Sequence, residues 1–398
     1  MGEREGCYLY DERDEGVEDP PHGLLNLHCN GGVFNLGHRH PAMIEEVQKA
    51  LQYYDIGNHH LVSRARAELG LRLAQLSPGD LKWTIFGVSG GEAIDLAIKM
   101  AWGYTGRRKI IVAEGAYHGN TGLSVLAGDK RFLDPFGMSQ QRDIFIRVPF
   151  GDVEAAVNAI DDETAAVMME TVPATLGMPI PPQNYFHEIR RACNKVGAQL
   201  IIDEVQTGMG RSGGGKLWAI DHFGVVPDMM VVGKGLSGGV YPMSVTMFRE
   251  HLAVLYESEP FAHVSTFGGS EVGCRVTLSL LEKTAEPAFL SHVQELAEEW
   301  KRELEQLRIR NPDTVKEIRQ LGLFMGLRLR GEGWGRVMTK ACFDEGVLLV
   351  FAANDTSVVQ VLPPLIMPVE DVHGAVLKIE RALKSASKLV PIYEAIKV

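Results

Sequence analysis

Lys234 heads the residues in this chain whose type and spacing could do chemistry. It lies in PDMMVVGKGLSGGVYP, residues 227–242, where an apolar run from Met229 to Val232 stops at Gly-Lys-Gly. An amine at the end of a buried strand is easily desolvated and deprotonated, which makes it a nucleophile or a base. The letters GKGLSG also fit the G-x-G-x-x-G of a dinucleotide-binding turn, and a solvent-exposed lysine in a flexible turn is the plainest alternative. The dinucleotide reading fails on context. That fingerprint must open a helix, whereas GGVYPMSVTMF brings Pro242 and an alternating β-branched pattern that predicts another strand. A P-loop fails too, because Asp228 stands where its first glycine belongs.

Asp203 closes the run LIIDE, residues 200–204. Without a P-loop this Walker-B-like strand has no phosphate cradle to serve. A carboxylate at the end of a buried strand is paired with a cation, is itself a ligand, or caps the following loop. In VSGGEAIDLAIKMA, residues 88–101, Ser89, Gly90 and Gly91 immediately precede a good helix. Exposed backbone N–H groups and the helix dipole make that an anion site, though Ser-Gly-Gly is also an ordinary cap and turn. AYHGN places Tyr117 and His118 after an apolar run, so Tyr117 can stack on a planar ligand or fill the core beneath a loop. His38 and His40, in GHRHP, match no usual zinc spacing and are read as loop packing, with no metal site.

These residues need elements to hold them. From about residue 41 to 280 helical and strand-like patterns alternate. Pro41 opens a helix with Ile44, Val47, Leu51 and Tyr54 on one stripe, and Ser63 caps the next helix, which SPG ends. KIIVAEG, DIFIRVP, TAAVMMET, AQLIIDEV and DMMVVGKG predict short strands, and GEAIDLAIKMAWG and YFHEIRRACNKVG predict amphipathic helices. The alternation describes an α/β fold with a mainly parallel sheet covered on both faces. Beyond it come a long charged helix over 288–307, strands in FMGLRLR, GVLLVFA and SVVQVLPPL, and a closing helix in DVHGAVLKIERALKSAS. The predicted organisation is an N-terminal segment 1–40 docking on the small domain, a large domain 41–285, and a small α+β domain 286–398.

Bulk properties narrow the function. The chain has 398 residues, 45% hydrophobic and 23% charged, with 43 glycines and a formal net charge of -11. That balance argues for small-molecule chemistry and against a nucleic-acid surface. Five scattered cysteines form no C-x-x-C pair, which fits a reducing cytoplasm rather than a disulfide framework. The N-terminus has no apolar signal region, and no apolar run approaches the ~18 residues of a spanning helix.

A phosphate site, an aromatic plate, a carboxylate and a buried-strand lysine together suit one cofactor, pyridoxal 5'-phosphate. It needs a Schiff-base lysine and an acidic partner for its ring nitrogen. The motifs NLGHRHP, SGGEAIDLAIKMA, YHG, LIIDEVQTGMGRSG, GKGLSGGVYP and STFGGS, in this order, resemble the class III (ornithine-type) aminotransferases, which are fold type I pyridoxal-phosphate enzymes. The resemblance runs from about residue 8 to the end. It implies that Lys234 forms the internal aldimine, that Asp203 pairs with the pyridine nitrogen, and that Gln206 approaches the phenolic oxygen. Tyr117 would stack on the ring beside His118 and Glu170, and Ser89, Gly90 and Gly91 would hold the phosphate. Thr266 would reach that phosphate from the other subunit of a homodimer. The implied activity is transfer of an amino group from a primary amine or amino acid to a carbonyl acceptor. Epimerisation, racemisation, decarboxylation or elimination on the same scaffold is the alternative, followed by a non-catalytic cofactor-binding protein.

Two departures bear on the substrate. Dual-substrate members carry E-P-x-Q-G-E, and here ETVPATLG keeps Glu170 but has Thr175 where the second glutamate belongs. The arginine that glutamate pairs with is replaced by Gln360 in VVQVLPPL. Gly31 stands about where ornithine-type members have an aromatic residue, which implies a roomier pocket. Glutamate would then bind weakly unless Arg211 or Arg39 takes over, and a polyamine or amino sugar would suit the acidic chain.

Overall fold

Seven short apolar runs associate into one sheet in a computed structural model that describes residues 2–10, 23–57, 61–138, 143–257 and 259–396. Across the sheet the strands are Trp83–Gly87, Ser244–Phe248, Met229–Val232, Gln199–Asp203, Thr164–Glu170, Lys109–Ala113 and Phe145–Val148. Ser244–Phe248 runs antiparallel to both its neighbours, and all other pairs are parallel. The three strands nearest the centre are buried along their whole length, as strands covered on both faces must be. Along Thr164–Glu170 the alternation divides two cores: Val167 and Met169 pack with Ile189 of the helix Tyr185–Val196, while Ala166 and Met168 pack with Ile94 and Ile98 of the helix Gly90–Thr105.

The rest of the chain builds two smaller sheets. Val315–Leu321, Phe324–Leu329, Val358–Val361 and Val350–Phe351 form one. In the other, Gly23–Asn26 pairs in parallel with Val347–Leu348, so a strand from the first forty residues joins one from the last sixty. A further apolar core gathers Leu25 and Leu27 with Leu296, Trp300 and Leu304 of the helix Pro287–Arg310 and with Val376 and Ile379 of the helix Asp371–Ile396.

Local signals located most elements. Ser63 caps the helix Arg64–Leu76 by accepting from the Arg66 N–H at 3.3 Å. Three expectations need correction. The helix from Pro41 ends at Ala50, and Leu51 and Tyr54 lie beyond it, exposed. GVLLVFA is two short strands, because Leu349 separates residues committed to different sheets. Lys234 is not on the strand, which ends at Val232. It opens a 3-10 turn, Lys234–Ser237, with φ at +44°, a left-handed value uncommon for a residue with a side chain. The strands Trp83–Gly87 and Val315–Leu321 had no expectation.

Candidate active site

Glu170 and Asp203 end neighbouring parallel strands in register, and ligands of open α/β sheets bind outside such carboxyl ends. A cavity of about 250 Å³ opens there. Nine residues singled out from the sequence line it: Ser89, Gly90, Gly91, Tyr117, His118, Glu170, Asp203, Gln206 and Lys234.

At its floor, Lys234 Nζ donates to Gln206 Oε1 at 2.6 Å. Burial pulls the Lys234 ammonium below its ordinary pKa, with Asp203 and Glu170 opposing. Asp203 Oδ2 meets His118 Nδ1 at 2.8 Å, and Oδ1 accepts from the Val205 N–H at 2.9 Å. Burial disfavours the His118 imidazolium, but the hydrogen bond and charge of Asp203, with Glu170 behind, leave its pKa raised. An ionised carboxylate has about four acceptor positions, so Asp203 can still receive a third donor from the cavity. Glu170 accepts from the Tyr117 N–H at 3.2 Å, and burial raises its carboxyl to about 7.

The other end suits an anion. Ser89 caps the sixteen-residue helix Gly90–Thr105, accepting from the Glu92 N–H at 3.2 Å. The N–H groups of the first helical residues have no intrahelical partner. Bare backbone is a steric requirement here: a Cβ on Gly119 would fall 2.7 Å from the Gly91 Cα, and Gly119 has φ +125°. Between the two ends, Tyr117 supplies an aromatic wall, backed edge-on by Phe132 at 5.5 Å. Val205 lies between helix and lysine loop, its methyls 3.1–3.2 Å from where a Gly90 Cβ would stand.

Val172, Val205, Thr207, Gly119, Asn120 and Thr121 also line the cavity and were not anticipated. Their adjacency to Asp203, Gln206 and His118 was the only available signal, since an aliphatic or hydroxyl side chain announces no chemistry.

Four residues fall outside the lining. Gly31, at φ +68°, still abuts the site: its Cβ would stand 3.4 Å from both Lys234 Nζ and Gln206 Nε2. Thr175 donates to the Gly115 carbonyl at 3.3 Å. Gln360 is buried in a strand, in register with Gly326 and Val350. Thr266 is on the surface of its own chain. The expectation that Arg211 could replace a missing arginine is overturned, because its fork is spent on Leu323 O, Pro363 O and Asn35 Oδ1 at 3.1, 3.0 and 2.6 Å. His38 contacts Asn26 Nδ2 at 2.9 Å, and the described residues contain no metal-holding cluster.

The cavity fits pyridoxal 5'-phosphate: an anion-binding helix end, an aromatic wall, a carboxylate with spare acceptor capacity and an amine converge on it. A buried His118 Nε2 also lacks a partner among the described residues. The fold is that of fold type I pyridoxal-phosphate transferases. An ornithine aminotransferase from Toxoplasma gondii superposes with TM-score 0.86 over 97% of this chain and 90% of its own, at 22% identity. A transaminase from the marine bacterium Virgibacillus gives 0.89 over 98% and 93%, at 23% identity.

The class III aminotransferase model matches residues 1–383, and the chain belongs to that family, whose cofactor is pyridoxal phosphate. An uncharacterized aminotransferase of Archaeoglobus fulgidus is 50% identical over 94% of this chain and 87% of its own length. A putrescine aminotransferase of Pectobacterium atrosepticum is 33% identical over 92% and 80%. No helix among the described residues is long and apolar enough to cross a membrane.

Proposed function

We propose that this aminotransferase works through Lys234 and Asp203, as a homodimer sharing Thr266, on a donor amine without an α-carboxylate. The observation that carries the reading is the Lys234 amine, buried and disposed to lose its proton, in one cavity with the Asp203–His118 pair and the Gly90 helix end. When bound, pyridoxal phosphate supplies the aldehyde that accepts the amino group and a ring that disperses negative charge from the substrate carbon. Lys234 would hold the cofactor through Nζ and, with Nζ free, would move the substrate proton. Asp203 keeps a negative charge at the ring nitrogen, and His118 orients that carboxylate. Gln206 holds the amine at one end, Gly90 and Gly91 hold the phosphate at the other, and Tyr117 and Val205 confine the ring.

The substrate reading rests on the charges. The cavity is lined by two carboxylates and no arginine, and Arg211 is fully buried with its Nη atoms on Leu323, Pro363 and Asn35. A carboxylate donor would find no bidentate arginine partner in the lining, which favours a donor amine without an α-carboxylate. A relative named for putrescine, a diamine, agrees with this. Dimerisation is supported by a groove beside Thr266 lined by both apolar residues, among them Leu61, Trp83 and Phe261, and polar ones, among them Lys82 and His263, with Val62, Val264 and Phe267 exposed nearby. Large exposed apolar patches mark association surfaces. Five buried free cysteines suit a cytoplasmic enzyme. We divide the chain as 1–40, 41–285 and 286–398, the first segment belonging with the last.

The test is a half-reaction panel following loss of the cofactor's absorbance band, with putrescine, ornithine, alanine, glutamate and amino sugars as donors. Putrescine or another carboxylate-free amine should bleach the band fastest. Glutamate as the best donor would overturn the substrate reading, and proton exchange without net bleaching would indicate epimerisation. Borohydride reduction should label Lys234 alone. Mixing inactive Lys234→Ala and Thr266→Ala proteins should restore activity through hybrids with one intact site; no recovery after proven subunit exchange would refute site sharing.

A further inference from the structure

Around Lys234 the backbone is held in an unusual shape. Cys29, Asn30, Gly31 and Gly32 have φ values of +52°, +51°, +68° and +90° in succession, and Lys234 itself is at +44°. For residues with side chains such angles persist only where the surroundings impose them. The surroundings here form a closed ring of contacts. Arg211 donates to Asn35 Oδ1 at 2.6 Å. The other end of the Asn35 amide, Nδ2, lies 2.5 Å from where a Gly235 Cβ would stand, and the Gly32 carbonyl lies 3.2 Å from the same point. Gly235 follows Lys234. The ring closes through Gly32, whose own Cβ position is 3.3 Å from Arg211 Nε, and through Gly31, whose Cβ position is 3.4 Å from Lys234 Nζ.

Arg211 anchors this ring to the body of the protein. It has no exposed surface, and it also holds the carbonyls of Leu323 and Pro363, while its own carbonyl accepts from the Leu323 N–H at 2.8 Å. The Leu365 N–H donates to the Asn35 carbonyl at 2.8 Å, so Pro363 and Leu365 are tied to Arg211 and Asn35 respectively.

We propose that Arg211 is a positioning residue for Lys234, acting through the Asn35 amide, which packs against Gly235 and keeps the lysine in its left-handed turn with Nζ held against Gln206 at the cavity. This rests on Lys234 as the working amine and deepens that reading. An arginine suits the task because its rigid planar fork can hold three acceptors at once, which an ammonium does with less geometric definition. If the turn relaxes, Nζ becomes more exposed and the main cause of its lowered pKa, burial, is weakened. The ionisable groups around the amine are Asp203 and Glu170, which favour its charged form, His118 coupled to both, and His28. Burial, then the charges of Lys234 and Arg211, hold His28 at about 4, so it stays neutral through the range of interest.

The experiment uses cofactor-free full-length protein. An amine-reactive reagent is applied across pH, Lys234 modification is quantified by peptide mapping, and thermal melts run in parallel. Asn35→Ala and Gly235→Ala should each move the midpoint of Lys234 labelling upward, every unit meaning about tenfold less free amine at a given lower pH. In the double variant the alanine at 235 occupies the space that Asn35 vacates. Its midpoint should return toward wild type, a coupling of opposite sign to addition. Arg211→Met should move the midpoint as Asn35→Ala does, and where Arg211→Met does not fold, Arg211→Lys, which keeps a cation without the planar fork, should move it in the same direction. Unmoved midpoints in folded Asn35→Ala and Gly235→Ala proteins, or simply additive shifts, would overturn the proposal. Because no cofactor or substrate is present, failure here is distinct from failure of the half-reaction panel.

Discussion

Asp203→Asn tests the electrostatics of the site more directly than removal of the side chain. Asparagine keeps the shape and one acceptor for His118 Nδ1, so the charge is lost, together with the acceptor that Oδ1 offers the Val205 N–H. In the wild type the contact is 2.8 Å between side chains with 0% and 5% exposure, too buried for solvent to screen. A hydrogen bond to a charged group contributes about 1.5–3 kcal/mol and a neutral one about 0.5–1.5, so the cofactor-free variant should lose about 1–2 kcal/mol. The pH dependence fixes the sign. Asp203 holds the His118 pKa above its ordinary 6.5 against burial, so the pair's stabilisation is complete below 6.5 and lost as pH rises through the raised value. Without the charge, burial dominates and His118 should titrate below 6.5, which makes acid destabilising instead. The gap between wild type and variant should therefore be widest under mildly acidic conditions and close in alkali. Denaturant unfolding across pH reads the stability, and imidazole NMR, with His118→Phe identifying the resonance, reads the titration. An unchanged His118 midpoint in Asp203→Asn would refute the pairing. Cofactor should still bind, but most turnover should be lost, because a neutral amide does not favour a protonated ring nitrogen.

Gly119→Ala should abolish tight cofactor binding with little change in fold, since its Cβ meets the Gly91 Cα at 2.7 Å; equilibrium dialysis of pyridoxal phosphate measures this, and unchanged affinity would contradict the helix-end phosphate site. Glu204 is fully buried, accepts from the Thr171 and Thr207 hydroxyls and the Ala219 and Ile220 N–H groups, and is raised by burial to about 7 from 4.5. A raised carboxyl stabilises the fold below its unfolded pKa, and this is lost as pH rises through about 7, a difference of about 3 kcal/mol. Glu204→Gln removes that slope but sets an amide N–H₂ against a backbone N–H, at about 1–3 kcal/mol. The variant should be less stable than wild type at pH 5 and match or exceed it above pH 8, by denaturant midpoint; parallel curves would show that Glu204 does not titrate on folding.

Much of this protein was already determined by local sequence. The run MMVV reads as a strand covered on both faces, Ser63 and Ser89 stand where helix caps are needed, and Lys234 and Asp203 lie at the ends of buried apolar runs, where ligands collect. These features depend on side-chain period, caps and strand ends, which neighbours in sequence define. The tertiary structure alone decided which side chains meet. His118 reaches Asp203 across 85 positions, and Arg211 reaches Pro363 across 152. Nothing near Arg211 in sequence says that its fork is occupied, so it read as an available cation. The register that places Gln360 between Gly326 and Val350 is likewise set by the tertiary fold and not by its neighbours in sequence. Lys234 was read as part of the strand because apolar period cannot reveal a left-handed φ. That angle stands beside Asn35 and the Gly32 carbonyl, both close to Gly235, and residues 32 and 35 reach the turn only through the tertiary fold.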